Sequence, residues 1–305
     1  MSLPTGKNVI GLDVGGTKIQ CGLVSPTGKI LAHVTLPTEV AKGRAAIMHN
    51  IMMAIEAVWK KNTAAIGIGL AGLIDHRLGV YRQGPNFPKS FRNIPFALLL
   101  GKKYGVPVRL DNDVHCFSLA EAVYGAGRNH RNVVGITLGT GIGGGIVING
   151  TLYRGKDNAA GEVGHMIIDL SSDAPCGCKN KGHFEALASG SAMARLYKLR
   201  TGIDRTPLEV ENEAKNGGKH ALAVLTEMQH GLAAGLANIM QILNPDVIVI
   251  GGGLRRVKML WQPAIKEAQK LVIYPELKKT VIAKSILGSD AGVLGASLLT
   301  REAPM

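Results

Sequence analysis

The chain has 305 residues, 46% of them hydrophobic, which is material for about two domains with cores of their own. Charged residues are 19% and no apolar run reaches the ~20 residues of a spanning helix; even the most apolar helical stretch, Gly231 to Leu243, is interrupted by Asn238 and Gln241, so an integral-membrane helical protein is excluded. The net charge of +13 arises from dispersed pairs such as Lys60-Lys61 and Arg255-Arg256, and aromatics are only 4%, so the interleaved basic and stacking surface of a nucleic-acid binder is missing. Neither a nucleic acid nor a membrane is expected as a partner. The first apolar run, Val9 to Leu12, is cut off by Asp13, no secretory segment is read, and the expected compartment is the cytoplasm.

The first element is a buried strand, Val9 to Val14, followed by the turn Gly15-Gly16-Thr17-Lys18 and a second strand, Ile19 to Val24. Helical spacing of apolar residues runs from Arg44 to Lys61. A strand over Val106 to Leu110 leads into Asp111-Asn112-Asp113 and a helix from Phe117 to Tyr124; either carboxylate suits a general base, and either also suits a helix cap. At Val133 the opening pattern restarts: the strand to Leu138, the turn Gly139-Thr140-Gly141-Ile142-Gly143-Gly144-Gly145, then Ile146-Val147-Ile148, with Val133 and Gly135 each 124 positions beyond Val9 and Gly11. Helices are expected over Gly190 to Arg200, Ala221 to Leu243, Pro263 to Val272 and Ala291 to Thr300. A buried strand within Asn244 to Ile250 precedes Gly251-Gly252-Gly253 and a helix beginning near Arg255. The class is α/β, and the repeat implies two similar halves facing each other across a cleft.

The 40 glycines, about twice average usage, cluster in these turns. A glycine turn exposes backbone N–H groups without side chains in the way, which suits phosphate oxygens, and two copies of it point to phosphate binding. Gly252 and Gly253 suit the flat face of a nucleotide. Four cysteines are too few for a disulfide framework, and Cys176-Gly177-Cys178 crowds two of them. His165, Cys176, Cys178 and His183, at spacings of 11, 2 and 5, supply the ligand set of a closed tetrahedral zinc site, which would shape a loop without activating water.

Asp13 to Lys18, Asn112-Asp113, Leu138 to Gly145, Glu162-Val163-Gly164-His165, Cys176-Gly177-Cys178 and Asn244 to Gly253 together resemble the ROK family of bacterial sugar kinases and sugar-responsive repressors, over nearly the whole chain and in order. The resemblance implies an actin/hexokinase-like (ribonuclease H-like) two-lobed fold with a cleft between the lobes. A small lobe spans about 1–115 with the C-terminal helix near 291–305 packed back on it, and a large lobe spans 116–290 with a zinc-loop insertion near 165–185. It also implies transfer of the γ-phosphoryl group of Mg-ATP to a hexose hydroxyl, usually the 6-OH, with Asp113 as the base. Gly72, Asn86, Asn112, Asp113, Glu162, His165 and Glu185 match the family's sugar contacts. Asp13, Gly15, Gly16, Thr17 and Lys18 match its first phosphate turn, with Asp13 oriented to Mg²⁺ through water; Gly139, Thr140, Gly141 and Gly143 match the second, and Gly252 and Gly253 lie against adenosine. His165 takes two duties, one ring nitrogen to zinc and one to the sugar.

The chain departs from the family pattern where Lys179 replaces a glycine, where His183 replaces a third cysteine ligand, and at His115. Glucose is the expected substrate, with N-acetylglucosamine or N-acetylmannosamine and then fructose or mannose behind it. The other class, a sugar-sensing regulator, is disfavoured because the first glycine strand begins at Val9, leaving no room for a DNA-binding domain. A homodimer and electrostatic steering of ATP are further expectations.

Overall fold

The computed structural model describes residues 6–301. Its strands are β1 (Val9–Val14), β2 (Lys18–Val24), β3 (Ile30–Pro37), β4 (Ile66–Leu70), β5 (Leu73–Asp75), β6 (Val80–Gln83), β7 (Val108–Asn112), β8 (Val133–Leu138), β9 (Ile142–Ile148), β10 (Thr151–Tyr153), β11 (Val247–Gly251) and β12 (Val281–Lys284). The helices are α1 (Arg44–Val58), α2 (Phe96–Tyr104), α3 (Asp113–Val123), α4 (Phe184–Ala188), α5 (Gly190–Thr201), α6 (Pro207–Lys215), α7 (Lys219–Leu243), α8 (Lys258–Leu271) and α9 (Ala291–Leu299). Two five-stranded sheets have the orders β3-β2-β1-β4-β7 and β10-β9-β8-β11-β12. The 124-position offset of the sequence is an offset of structure: β1 and β2 begin and end at 9, 14, 18 and 24, and β8 and β9 at 133, 138, 142 and 148. The parallel partner of β1 is β4 and that of β8 is β11, so the two sheets repeat one plan.

The chain forms two compact units. The first comprises residues up to Asn129, Gly145–Ala160 and Ile286 onward; the second comprises His130–Gly144 and Gly161–Ser285. In the first unit β1 and β4 are buried almost throughout, as strands covered on both faces must be. Helix α9 lies against β1, β4 and α3 at backbone distance: a Cβ on Gly67 would stand 1.8 Å from the Ala296 carbonyl oxygen, and one on Gly295 1.8 Å from that of Cys116. Only glycine permits that approach. The second unit buries the apolar stripe of α7, including Leu225, Met228, Leu232 and Leu236, together with Val134 and Ile136 of β8 and Ile248 of β11.

Three local features differ from the sequence expectation. Helix α3 starts at Asp113, four residues early, because the Asn112 side-chain oxygen accepts the N–H groups of Val114 (2.8 Å) and His115 (3.4 Å); the cap is neither aspartate. Helix α8 starts at Lys258 and carries Pro263 in its interior, since burying both Leu260 and Ala264 requires helix before the proline. Helix α6, absent from the expectation, is opened by a capping box in which Thr206 and Glu209 satisfy each other's backbone N–H, with Pro207 in the first turn.

Candidate active site

In the first unit the turn after β1 is closed by the Gly15 N–H to the Lys18 carbonyl at 3.0 Å. Thr38, fully buried, fastens the same turn: its hydroxyl donates to the Gly15 carbonyl (2.6 Å) and its N–H to that of Thr17 (3.0 Å). A lone threonine after β3 carries no sequence signal for that duty, and sequence reasoning passed over it. Gly15 and Gly16 are half-buried and Thr17 and Lys18 exposed, leaving the turn's outer surface accessible. Asn86 packs on Gly16, its carbonyl oxygen and Cβ each 3.1 Å from where a glycine Cβ would lie. The neighbouring Phe87 holds Asn86 there by stacking on Phe91 (4.9 Å between ring centres) and meeting Tyr81 edge-on.

Asp13 is the penultimate residue of β1, beside the turn. Burial and then the charge of Asp113 push its carboxyl up to about 7, against the pull of Lys18. Two carboxylates close enough to perturb one another without a cation form a donor set that suits a divalent ion. Asp113 is half-buried at the first position of α3, and Asn112, besides capping that helix, donates its side-chain N–H to the Gly72 carbonyl at 3.2 Å. The first unit thus brings together Asp13, Gly15, Gly16 and Asn86, and likewise Gly72, Asn112 and Asp113.

Asp111 is quite different. It is fully buried and accepts from His115 Nδ1 (2.8 Å), Arg154 Nε (2.6 Å), Asn158 Nδ2 (3.2 Å) and the Asn112 N–H (2.8 Å). Burial alone would raise its carboxyl, but the bonds and charges of His115 and Arg154 outweigh that and hold it below the usual carboxylate range. His115 Nε2 meets the Ala160 carbonyl at 2.9 Å, so both ring nitrogens face acceptors, an arrangement that favours the doubly protonated imidazole. Burial pulls the His115 pKa down, yet the bond and charge of Asp111 and the Ala160 carbonyl leave it raised. This is the physical account of the histidine that departs from the family pattern: it is an internal cation clamped between β7 and the segment after β10.

In the second unit, the β8–β9 turn docks on the start of α5, where Gly190 and Ser191 donate backbone N–H groups to the carbonyls of Gly139 (2.8 Å) and Thr140 (3.1 Å). Glu185 follows Phe184, whose ring is buried against Gly235 of α7, and its carboxylate accepts the Ile142 N–H at 2.9 Å. A Cβ on Gly141 would lie 2.2 Å from that carboxylate, so a side chain here would displace Glu185. Gly141 and Gly143 are half-buried. A cavity of about 600 Å³ is lined by Gly139, Thr140, Gly190, Ser191, Pro207 and Gly253, among others. The N-termini of α5 and α6 in its wall, with Arg255 and Arg256, were not anticipated; the Thr206-Pro207-x-Glu209 box was the available signal. Gly252 is in the left-handed region (φ 76°) and stands just before this wall.

The four expected metal ligands converge. Ligand atoms of His165, Cys176, Cys178 and His183 all lie within 4.8 Å of one another. His165 Nδ1 is 3.3 Å from His183 Nδ1, Cys178 Sγ is 3.3 Å from His183 Nδ1, and Cys176 Sγ is 3.6 Å from His165 Nδ1. Tetrahedral zinc with bonds of about 2.0 Å to nitrogen and 2.3 Å to sulfur places N···N at ~3.3 Å and S···N at ~3.5 Å, so the donor set fits. The other ring nitrogen of His165, Nε2, is 3.9 Å from Glu162, and both side chains are exposed. Lys179, where the family has glycine, adopts φ 76°, the conformation that glycine favours.

Fold and turns define an α/β protein of the actin/hexokinase-like class. The ROK family profile matches residues 9–303, and the chain belongs to the ROK family. It is 36% identical to a glucokinase of Thermotoga maritima over 310 residues, covering 96% of this chain and 97% of the relative. It is 31% identical to an N-acetyl-D-glucosamine kinase of Vibrio cholerae, covering 95% of this chain and 98% of the relative. Among solved structures, a ROK hexokinase from Thermus thermophilus superposes with a TM-score of 0.85 at 30% identity, over 96% of this chain and 97% of that one. A ROK family glucokinase from Streptomyces griseus in complex with glucose and AMPPNP does so with 0.81 at 29%, over 97% and 100%.

Proposed function

We propose that this protein is an ATP-dependent hexose kinase that transfers the γ-phosphoryl group to the 6-hydroxyl of glucose. The observation that carries the assignment of roles is the division of labour within Asp111-Asn112-Asp113. Asp111 is saturated and buried, Asn112 caps α3, and Asp113 stands half-buried at the first position of that helix, accepting the Val114 N–H with one oxygen, its charge felt by Asp13. Asp113 accepts the proton of the sugar hydroxyl as that oxygen attacks the γ-phosphorus, the bond to the β–γ bridging oxygen breaks, and ADP leaves. Mg²⁺, which Asp13 would hold through water, supplies charge neutralisation at the phosphates. The amides of the turns at Gly15 to Lys18 and at Gly139 to Gly143 take phosphate oxygens, and Gly252 and Gly253 border the nucleoside. Gly72, Asn86, Asn112, Glu162, His165 and Glu185 read the sugar. Glucokinase relatives over the full length, one solved with glucose and AMPPNP, support this reading.

A second substrate reading, N-acetylglucosamine, is favoured by the kinase relative of that name. An ADP-release assay against glucose, N-acetylglucosamine, N-acetylmannosamine, mannose and fructose, ranked by kcat/KM, separates the two. Glucose leading is expected; an N-acetylhexosamine leading transfers the assignment, and no ADP release with any sugar returns the chain to the sugar-sensing regulators of the family.

Zinc in the His165, Cys176, Cys178, His183 set belongs to the same proposal, with His165 bound through Nδ1 and its Nε2 left for the sugar. Elemental analysis of the purified protein is expected to find one zinc per chain, lost in Cys178→Ser; a metal-free wild type ends this reading. A homodimer, tested by sedimentation, and a cytoplasmic location alongside ATP complete the proposal; no helix among the described residues is long and apolar enough to cross a membrane.

A further inference from the structure

The first unit contains a cavity of about 630 Å³ that none of the proposed sugar, nucleotide or metal residues lines. Apart from Thr151, its polar side chains are Arg77, Arg109, Arg154 and Arg301 with His76, and among the described residues no Asp or Glu lines it. Leu119, Leu152 and Leu298 contribute an apolar surface. Of the four guanidinium groups, Arg154 is the one matched by a carboxylate among the described residues, the buried Asp111 behind it at 2.6 Å. Arg301 donates to a neutral acceptor, the Ser25 carbonyl, at 3.3 Å, and among the described residues Arg77 and Arg109 have no carboxylate within ion-pair distance. Asp75, in sequence beside His76, is committed to Arg82 at 2.7 Å. Burial and then the charge of Arg154 hold the His76 imidazole below its ordinary range, against the opposing charges of Asp111 and Asp75.

Like charges gathered around one concavity repel, and low-dielectric walls strengthen the field they make. An anion there relieves the repulsion. Arginine presents a planar fork that matches phosphate oxygens in pairs, and the volume lies in the range of ~300–1,000 Å³ typical of small-molecule sites. The apolar surface suits the carbon face of an attached ring. We propose that this cavity is a second ligand site, distinct from the kinase site, that binds a sugar-sized organic phosphate. Because Arg154 both lines the cavity and holds Asp111, the occupant's charge acts on the network that fixes the junction of β7 and α3.

The test uses the intact protein without ATP, so it does not depend on turnover. Glucose 6-phosphate, inorganic phosphate and glucose are each titrated calorimetrically at constant ionic strength into the wild type and into Arg77→Gln, Arg109→Gln, Arg109→Lys and Glu162→Gln. Among the described residues the side chains of Arg77 and Arg109 make no hydrogen bond, so their variants are expected to keep the wild-type melting temperature, whereas an Arg154 variant would strip the buried Asp111. Besides any product binding at the kinase site, glucose 6-phosphate is expected to show a binding component about tenfold weaker in Arg77→Gln and in Arg109→Gln and about threefold weaker in Arg109→Lys, and that component is unchanged in Glu162→Gln. Inorganic phosphate is expected to bind at least tenfold more weakly than glucose 6-phosphate, lacking the ring. No binding, or no component of binding that the arginine variants weaken, overturns the proposal. So does a loss seen only in Glu162→Gln, which places the sugar phosphate with the kinase site, and so does equal affinity for inorganic phosphate.

Discussion

Three consecutive polar residues at the end of β7 are given three separate tasks by their partners. Asp111 accepts four hydrogen bonds, two of them from His115 and Arg154, Asn112 spends its oxygen on the cap of α3, and Asp113 stands half-buried at the head of that helix. Asp113→Asn is expected to lower kcat by two to four orders of magnitude while sugar affinity, read by calorimetry, changes by no more than a few-fold, because the amide keeps the shape and loses the basicity. Near-normal turnover would remove Asp113 from the role of base. His115 makes a different prediction. Its folded pKa is raised above the ordinary 6.5, so the stability it contributes is fully present below that value and is lost as pH rises through the folded pKa. The melting-temperature difference between wild type and His115→Asn is expected to be largest near pH 6 and to shrink at alkaline pH; a gap that does not change with pH would show the ring to be neutral in the fold.

Elements meet here through glycine as much as through large side chains. The approach of α9 to β4 at Gly67 leaves no room for one methyl group, and since the neighbour is a backbone carbonyl no rotamer change relieves the clash. Gly67→Ala is therefore expected to cost about 3 kcal/mol or more, read from the denaturation midpoint, whereas Gly253→Ala, where a Cβ meets open space, stays within about 1 kcal/mol of wild type. In the metal loop the left-handed turn at Lys179 makes the opposite change favourable. Lys179→Gly is expected to stabilise the protein by about 1 kcal/mol in thermal unfolding, because an L side chain strains this conformation; a destabilised variant would mean that the lysine side chain contributes more than the strain costs.

At the scale of the whole molecule, the net charge of +13 surrounds a reaction whose nucleotide substrate is an anion. If the charge steers ATP, kcat/KM for ATP falls as ionic strength rises from about 0.05 to 0.5 M while kcat stays nearly constant; a flat kcat/KM leaves the charge as solvated surface. The duplicated plan was legible without coordinates, since the 124-position restart of Val9 to Val24 is a repetition of local pattern, and local pattern is what strand periodicity and glycine turns record. The family motifs were legible for the same reason, and the zinc ligands were proposed from composition and spacing alone. Beyond the reach of sequence were the burial of Asp111, the pairing of His115 with the Ala160 carbonyl, the stapling of the first turn by Thr38, and the arginine cavity drawn from Arg77, Arg109, Arg154 and Arg301. Each joins residues that carry no shared local pattern. Which carboxylate is saturated and which cations go unpaired is decided by what packing brings within a few ångströms, and that follows from the tertiary fold.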